Sequence, residues 1–126
     1  MTIRSVVSGL DAGDLAAVPG VKVVGPLGDG IEIETPRYAS FTHILAEIAR
    51  RGGVIREIAG NDDIMVSLTA PVVADGNVPY GQVILRMKRD GFRSDRLLVT
   101  VKVSELAALL KAYALGDPGI EHVFDY

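Results

Sequence analysis

Between Thr35 and Pro71 the apolar positions change period along the chain. Tyr38, Phe41, Ile44, Leu45 and Ile48 recur every three or four residues, which predicts an amphipathic helix with one face to be covered. Thr35 is the expected N-cap with Pro36 at the first helical position, and Ser40 is a competing cap. Arg50 and Arg51 fall in the last turn, near the negative end of the helix dipole, and Gly52-Gly53 supplies a left-handed stop. Two strands follow, Val54 to Ile58 and Ile64 to Thr69, joined by the polar turn Ala59-Gly60-Asn61-Asp62-Asp63. They are the expected cover for the helix.

The flanks continue the pattern. Ile3 to Leu10 reads as a short strand, and Asp11 caps a brief helical turn containing Leu15 to Val18 before Pro19-Gly20. Val21 to Val24 and Ile31 to Thr35 read as a hairpin around the turn-rich Gly25 to Gly30, with Ile31 and Ile33 on one face and Glu32 and Glu34 on the other. Pro71 to Pro79 is a loop by composition and the expected boundary between halves. Gln82 to Lys88 resumes a strand with Val83, Leu85 and Met87 on one face, and Arg89 to Arg96 reads as a charged loop. Leu97, Val99, Val101 and Val103 then alternate with Leu98, Thr100 and Lys102, which predicts the best-packed strand of the chain. Ser104 is the expected cap of a second helix, lined by Leu106, Leu109, Leu110 and Tyr113 and stopped at Gly116-Asp117-Pro118-Gly119. In the last strand, Ile120 to Tyr126, the residues Ile120, His122, Phe124 and Tyr126 share a side.

Strand, strand, helix, strand thus occurs twice, over 21–58 and 82–126, as a repeat of pattern without similarity of residues. The expected fold is α+β: a ferredoxin-like sandwich in one domain, 1–126, with pseudo-repeat halves at about 21–70 and 80–126. A mostly antiparallel sheet would carry both main helices on one face. The strand after Asp63 would extend the sheet or form a dimer edge. With FTHILAEIARRGGVIREI (Phe41 to Ile58), a helix stopped by glycine before a strand, this architecture resembles ACT domains and the regulatory domain at the end of some ABC-importer ATPases. The resemblance implies a ligand-sensing role. The charged stretch 88–96 departs from it.

A chain of 126 residues is long enough for one sizeable core. The lack of cysteine removes disulfides, thiolate catalysis and cysteine-ligated metal centres. The N-terminal residues show no signal-peptide apolar run and no window approaches the ~20 apolar residues of a membrane span, so a cytoplasmic protein without membrane contact is expected. A net charge of -3 argues against nucleic acid as partner.

Candidate chemistry is sparse. The turn Gly60-Asn61-Asp62-Asp63, with Glu57 nearby, offers oxygen ligands, but the spacing of a dedicated calcium loop is lacking and turns require the same residues. No metal or cofactor is expected. Gly25 to Gly30 contains Gly-x-Gly without the third glycine or the following helix of a nucleotide loop. His43 and His122 have the residue type for acid–base work, the default being histidines at the core boundary. Arg86, Lys88, Arg89, Arg93 and Arg96 surround Phe92, an enrichment that could hold an anion at Arg89, Arg93 and Arg96, while Asp90 and Asp95 offset part of the charge.

The resulting expectation is a non-catalytic small-molecule-binding or regulatory domain that forms a homodimer through a sheet edge. A small anionic ligand would sit near Arg51-Gly52-Gly53 and the 61–63 turn, held by His43, Arg56, Asn61, Asp62 and His122. The alternatives are a small enzyme pairing His43 or His122 with Glu57, Asp62 or Asp63, and a protein-interaction module whose sheet edge receives a partner strand.

Overall fold

A computed structural model describes residues 1–71, 80–89, 94–116 and 119–124. Asp90, Phe92, Arg93, Pro118 and Tyr126, and the stretch 72–79 expected to be a loop, lie outside the described residues.

The first half runs β1 (Thr2–Ser8), α1 (Ala12–Ala16), β2 (Lys22–Leu27), β3 (Gly30–Pro36), α2 (Ala39–Arg50) and β4 (Val54–Ile58), and its strands order as β2-β3-β1-β4. The second runs β5 (Asp63–Pro71), β6 (Gly81–Met87), β7 (Ser94–Lys102), α3 (Val103–Ala112) and β8 (Gly119–Val123), ordered β6-β7-β5-β8. Every strand pair is antiparallel. The two orders are the same order, with β5 in the place of β1 and α3 in the place of α2. The protein is therefore α+β with the strand-strand-helix-strand pattern repeated.

The expectation of one continuous sheet is corrected to two four-stranded sheets. β1 and β5 each take an inner position, hydrogen-bonded on both sides, so each half completes its own sheet. β5 is accordingly no sheet extension. β4 and β5, expected to cover the helix together, belong to different sheets.

The halves meet through side chains. One buried cluster contains Phe41 and Leu45 of α2, Ile55 of β4, Val66 of β5, Val99 of β7 and Leu109 of α3. A smaller cluster joins Ile44 and Ile48 of α2 to Val7, Leu15 and Ile33. The α2 face thus splits into two rows, one for each cluster, which explains why so many of its positions are apolar. Burial of a side chain such as Phe41 stabilises by roughly 1.5–3 kcal/mol before cavity terms. The helices α2 and α3 pack on each other, α3 also lies against β4, and α2 lies against β8.

The N-termini of α2 and α3 depart from the local reading. Thr35 and Pro36 remain in β3, paired with Ile3 and Thr2, because the ladder outcompetes a cap. Tyr38, at φ 65° and 61 % exposed, takes the N-cap position of α2 without a side-chain cap bond, and so leaves the apolar face it was assigned to. Lys102, not Ser104, precedes α3, whose first amide, Val103 N–H, donates to Asp62 O at 2.7 Å. Asp11 does cap α1, in a reciprocal box with Asp14. The α2 stop is a Schellman motif, Gly52 N–H to Ala49 O at 3.0 Å and Gly53 N–H to Ile48 O at 2.9 Å. The two glycines serve different ends: Gly52 has φ +97°, whereas a Cβ at Gly53 would come within 2.6 Å of Ile48 Cγ2.

Bulges break the expected strand alternation. In β6 the register shifts between Val83 and Leu85, so Val83 is half-buried while Leu85 and Met87 are exposed. In β8 the partner register shifts between Ser67 and Leu68, which turns Ile120 and Val123 inward together and leaves His122 half-buried. β7 begins at Ser94, so Arg96 is a strand residue and not part of a loop. Among the described residues no helix is long and apolar enough to cross a membrane.

Candidate functional site

His43, Ala46, Glu47 and Arg50 recur along α2 at three- and four-residue spacing and form a stripe beside its buried face. Opposite them stand Leu110 and Lys111 of α3 with Ala114 and Leu115 just beyond it, and together these residues enclose a trough of about 500 Å³. A second hollow of about 460 Å³ adjoins it, lined by Thr42, His43, Leu115, Gly116, Ile120 and Glu121. His43 and Leu115 belong to both, so the two make one groove along the α2, α3 and β8 junction with His43 between its compartments.

The groove floor is aliphatic and its rim is charged. Glu47 is held by Arg50 and by Arg51, the latter through Nε at 2.8 Å. Hydrogen bonds from Arg50 and then Arg51 lower the Glu47 pKa from the usual 4.5 to about 2. Glu47 also raises the pKa of Arg50, first through the hydrogen bond. The Lys111 ammonium and both ring nitrogens of His43 form no hydrogen bond or ion pair among the described residues. Uncommitted donors thus stand over an apolar floor, an arrangement suited to a molecule with an aliphatic or aromatic body and an anionic group.

The other ligand candidates are dispersed. Arg56 and Asp62 share a hollow of about 490 Å³ with Val6, Leu27, Gly28, Asp29 and Glu57 on the outer side of the first sheet. Arg56 Nε donates to Ser8 Oγ at 2.9 Å. With three carboxylates around one guanidinium, this hollow repels anions. Asn61 lies in the exposed turn beside it, its backbone bridged to Ile58. His122 packs edge-on against Phe124, ring centroids 4.6 Å apart, and lines neither compartment of the groove. His43, Arg56, Asp62 and His122 therefore do not converge. Neither histidine forms an ion pair with a carboxylate among the described residues.

The basic cluster is also dispersed. Arg86 Nε donates to Asp95 Oδ2 at 2.7 Å, and Asp95 is 5 % exposed. Arg96 grips Glu121 with two bonds of 2.8 Å. Arg89 is itself engaged, and Arg93 lies outside the described residues.

Of the residues lining the larger compartment, sequence reasoning singled out His43 and missed Ala46, Glu47 and Arg50 of α2 as well as Leu110, Lys111, Ala114 and Leu115. The three- and four-residue spacing of His43, Ala46, Glu47 and Arg50 is a signal the sequence holds, but the partners of this stripe are brought to it only by the packing of α3 on α2. No protein-family model, curated protein or solved structure matches the chain.

Proposed function

We propose that this chain is a non-catalytic small-molecule-binding or regulatory module whose ligand occupies the groove between α2 and α3. The observation that carries this reading is the pairing of an aliphatic floor, Ala46, Leu110, Ala114 and Leu115, with Lys111 and His43, whose side chains form no hydrogen bond or ion pair among the described residues. Lys111 and His43 favour a carboxylate or phosphate over a cation. The two halves are read as ferredoxin-like units, supported in the first by β1-α1-β2-β3-α2-β4 in the order β2-β3-β1-β4. The groove lies at the junction of the halves, so a ligand there would bear on how tightly they pack.

The test is thermal denaturation with a panel of amino acids and nucleoside monophosphates at millimolar concentration. At least one compound raises the melting temperature, increasingly with its concentration, as mass action requires of a ligand bound only by the folded chain. Lys111→Glu abolishes that shift while leaving the unliganded melting temperature close to wild type, since Lys111 is exposed. No shift with any member of the panel, or a shift indifferent to Lys111→Glu, overturns the assignment.

A further inference from the structure

The groove has a cationic end, and α2 fixes how far that end lies from the second compartment. His43 and Arg50 are seven residues apart, close to two full turns, so they share one face of α2 at a rise of about 10 Å. Arg50 and Lys111 belong to the first compartment, whereas Leu115 and Ile120 are apolar lining of the second and Thr42 and Glu121 are its polar lining. The acids of the wall are already matched by cations. Glu47 is bonded by both Arg50 and Arg51, and Glu121 is bonded twice by Arg96. Around the first compartment three cations, Arg50, Arg51 and Lys111, stand against the one acid Glu47, which leaves two positive charges there. In the second compartment Glu121 is balanced by Arg96.

We infer that the ligand is a nucleoside monophosphate, with its phosphate at Lys111 and Arg50 and its base in the second compartment. This rests on the reading of the groove as a ligand site and names the chemistry that site selects. A phosphate monoester carries about −1.5 to −2 charges at pH 7, which two positive charges match, whereas a carboxylate brings only one. Arg50 engages Glu47 through Nε and Nη2, which leaves Nη1 to donate to a phosphate oxygen beside the Lys111 ammonium. A free amino acid is too short to reach from these cations past His43 to Leu115 and Ile120, a distance of about 10 Å or more along α2. A nucleotide holds phosphate and base apart by a span of that order, with its sugar beside His43. The base offers apolar faces to Leu115 and Ile120 and polar edges to Thr42 and Glu121, and the second compartment of about 460 Å³ accommodates it. Thr42 Oγ1 accepts the Val123 amide and so keeps its own proton to donate.

Isothermal titration calorimetry of the full chain tests it with the four common ribonucleoside monophosphates, their free nucleosides, ribose 5-phosphate and inorganic phosphate. At least one nucleotide binds about tenfold or more tighter than ribose 5-phosphate and than its own nucleoside, because joining the two parts makes the second contact intramolecular. Lys111→Ala weakens that nucleotide and ribose 5-phosphate alike, by about tenfold. Leu115→Ala weakens the nucleotide alone, and circular dichroism verifies that both variants are folded. In NMR titrations of the wild type, the amides of Leu115, Gly116 and Ile120 shift with the nucleotide and not with ribose 5-phosphate, a readout that needs no variant. Ribose 5-phosphate or inorganic phosphate binding as tightly as every nucleotide overturns the inference and leaves the groove reading standing. So does an amino acid that raises the melting temperature where no nucleotide does. A nucleotide indifferent to both Lys111→Ala and Leu115→Ala binds elsewhere and overturns the inference too, and no binding by any compound, amino acids included, removes the groove reading along with it.

Discussion

The hydroxyl of Thr42 on α2 accepts the backbone amide of Val123 on β8 at 2.9 Å, across the boundary between the two halves. Both residues are buried, so this single bond satisfies a donor at a sheet edge that water does not reach. Thr42→Val keeps the shape and removes the acceptor. The expected cost is about 1–3 kcal/mol in urea denaturation, the penalty of an orphaned buried amide, and Thr42→Ser restores most of it. Amide exchange of Val123 accelerates in Thr42→Val and not in Thr42→Ser.

The Arg86–Asp95 pair joins β6 to β7, and Arg86 Nη2 is buried without a partner of its own among the described residues. Asp95→Ala strands the guanidinium. Full burial would put the loss at about 3–5 kcal/mol, but the Arg86 side chain is 30 % exposed, so about 2 kcal/mol is expected. Arg86→Met combined with Asp95→Leu loses less than Asp95→Ala alone, which a double-mutant comparison of denaturation midpoints measures.

Glu47 links pH to stability at the groove. Its folded pKa of about 2 lies below the usual 4.5, so its contribution is complete above about 4.5 and is lost as pH falls toward 2. A carboxyl-carbon NMR titration gives a midpoint well below 4 for Glu47. In Glu47→Gln the part of the acid destabilisation between pH 4.5 and 2 that belongs to this residue disappears.

Phe41 is fully buried in the cluster that contains residues of both halves. Phe41→Ala is expected to cost about 3–5 kcal/mol from lost transfer energy and the cavity left behind. Because the cluster is shared, calorimetry records one transition displaced to lower temperature rather than one half melting before the other.

Where the reading of the chain and the structure part, the cause is competition from residues distant in sequence. Thr35-Pro36 carries a sound cap signal, yet Ile3 and Thr2 hold it in the β3 ladder. Val83, Leu85 and Met87 alternate on paper, yet the bulge opposite β7 turns the last two outward. Of the groove, His43 alone was singled out in the sequence, by residue type, whereas Lys111 looked like any lysine near a helix end.

The period of its apolar residues determined that this chain would form two amphipathic helices and a series of strands in a repeated pattern, because side-chain direction along a helix or strand is a local property. Which strand became central, that the repeats closed into two sheets, and that α2 and α3 met to form a groove were decided by hydrogen bonding and packing between distant residues. Those choices depend on which ladder and which buried cluster is most complete, and no single stretch of sequence contains both partners.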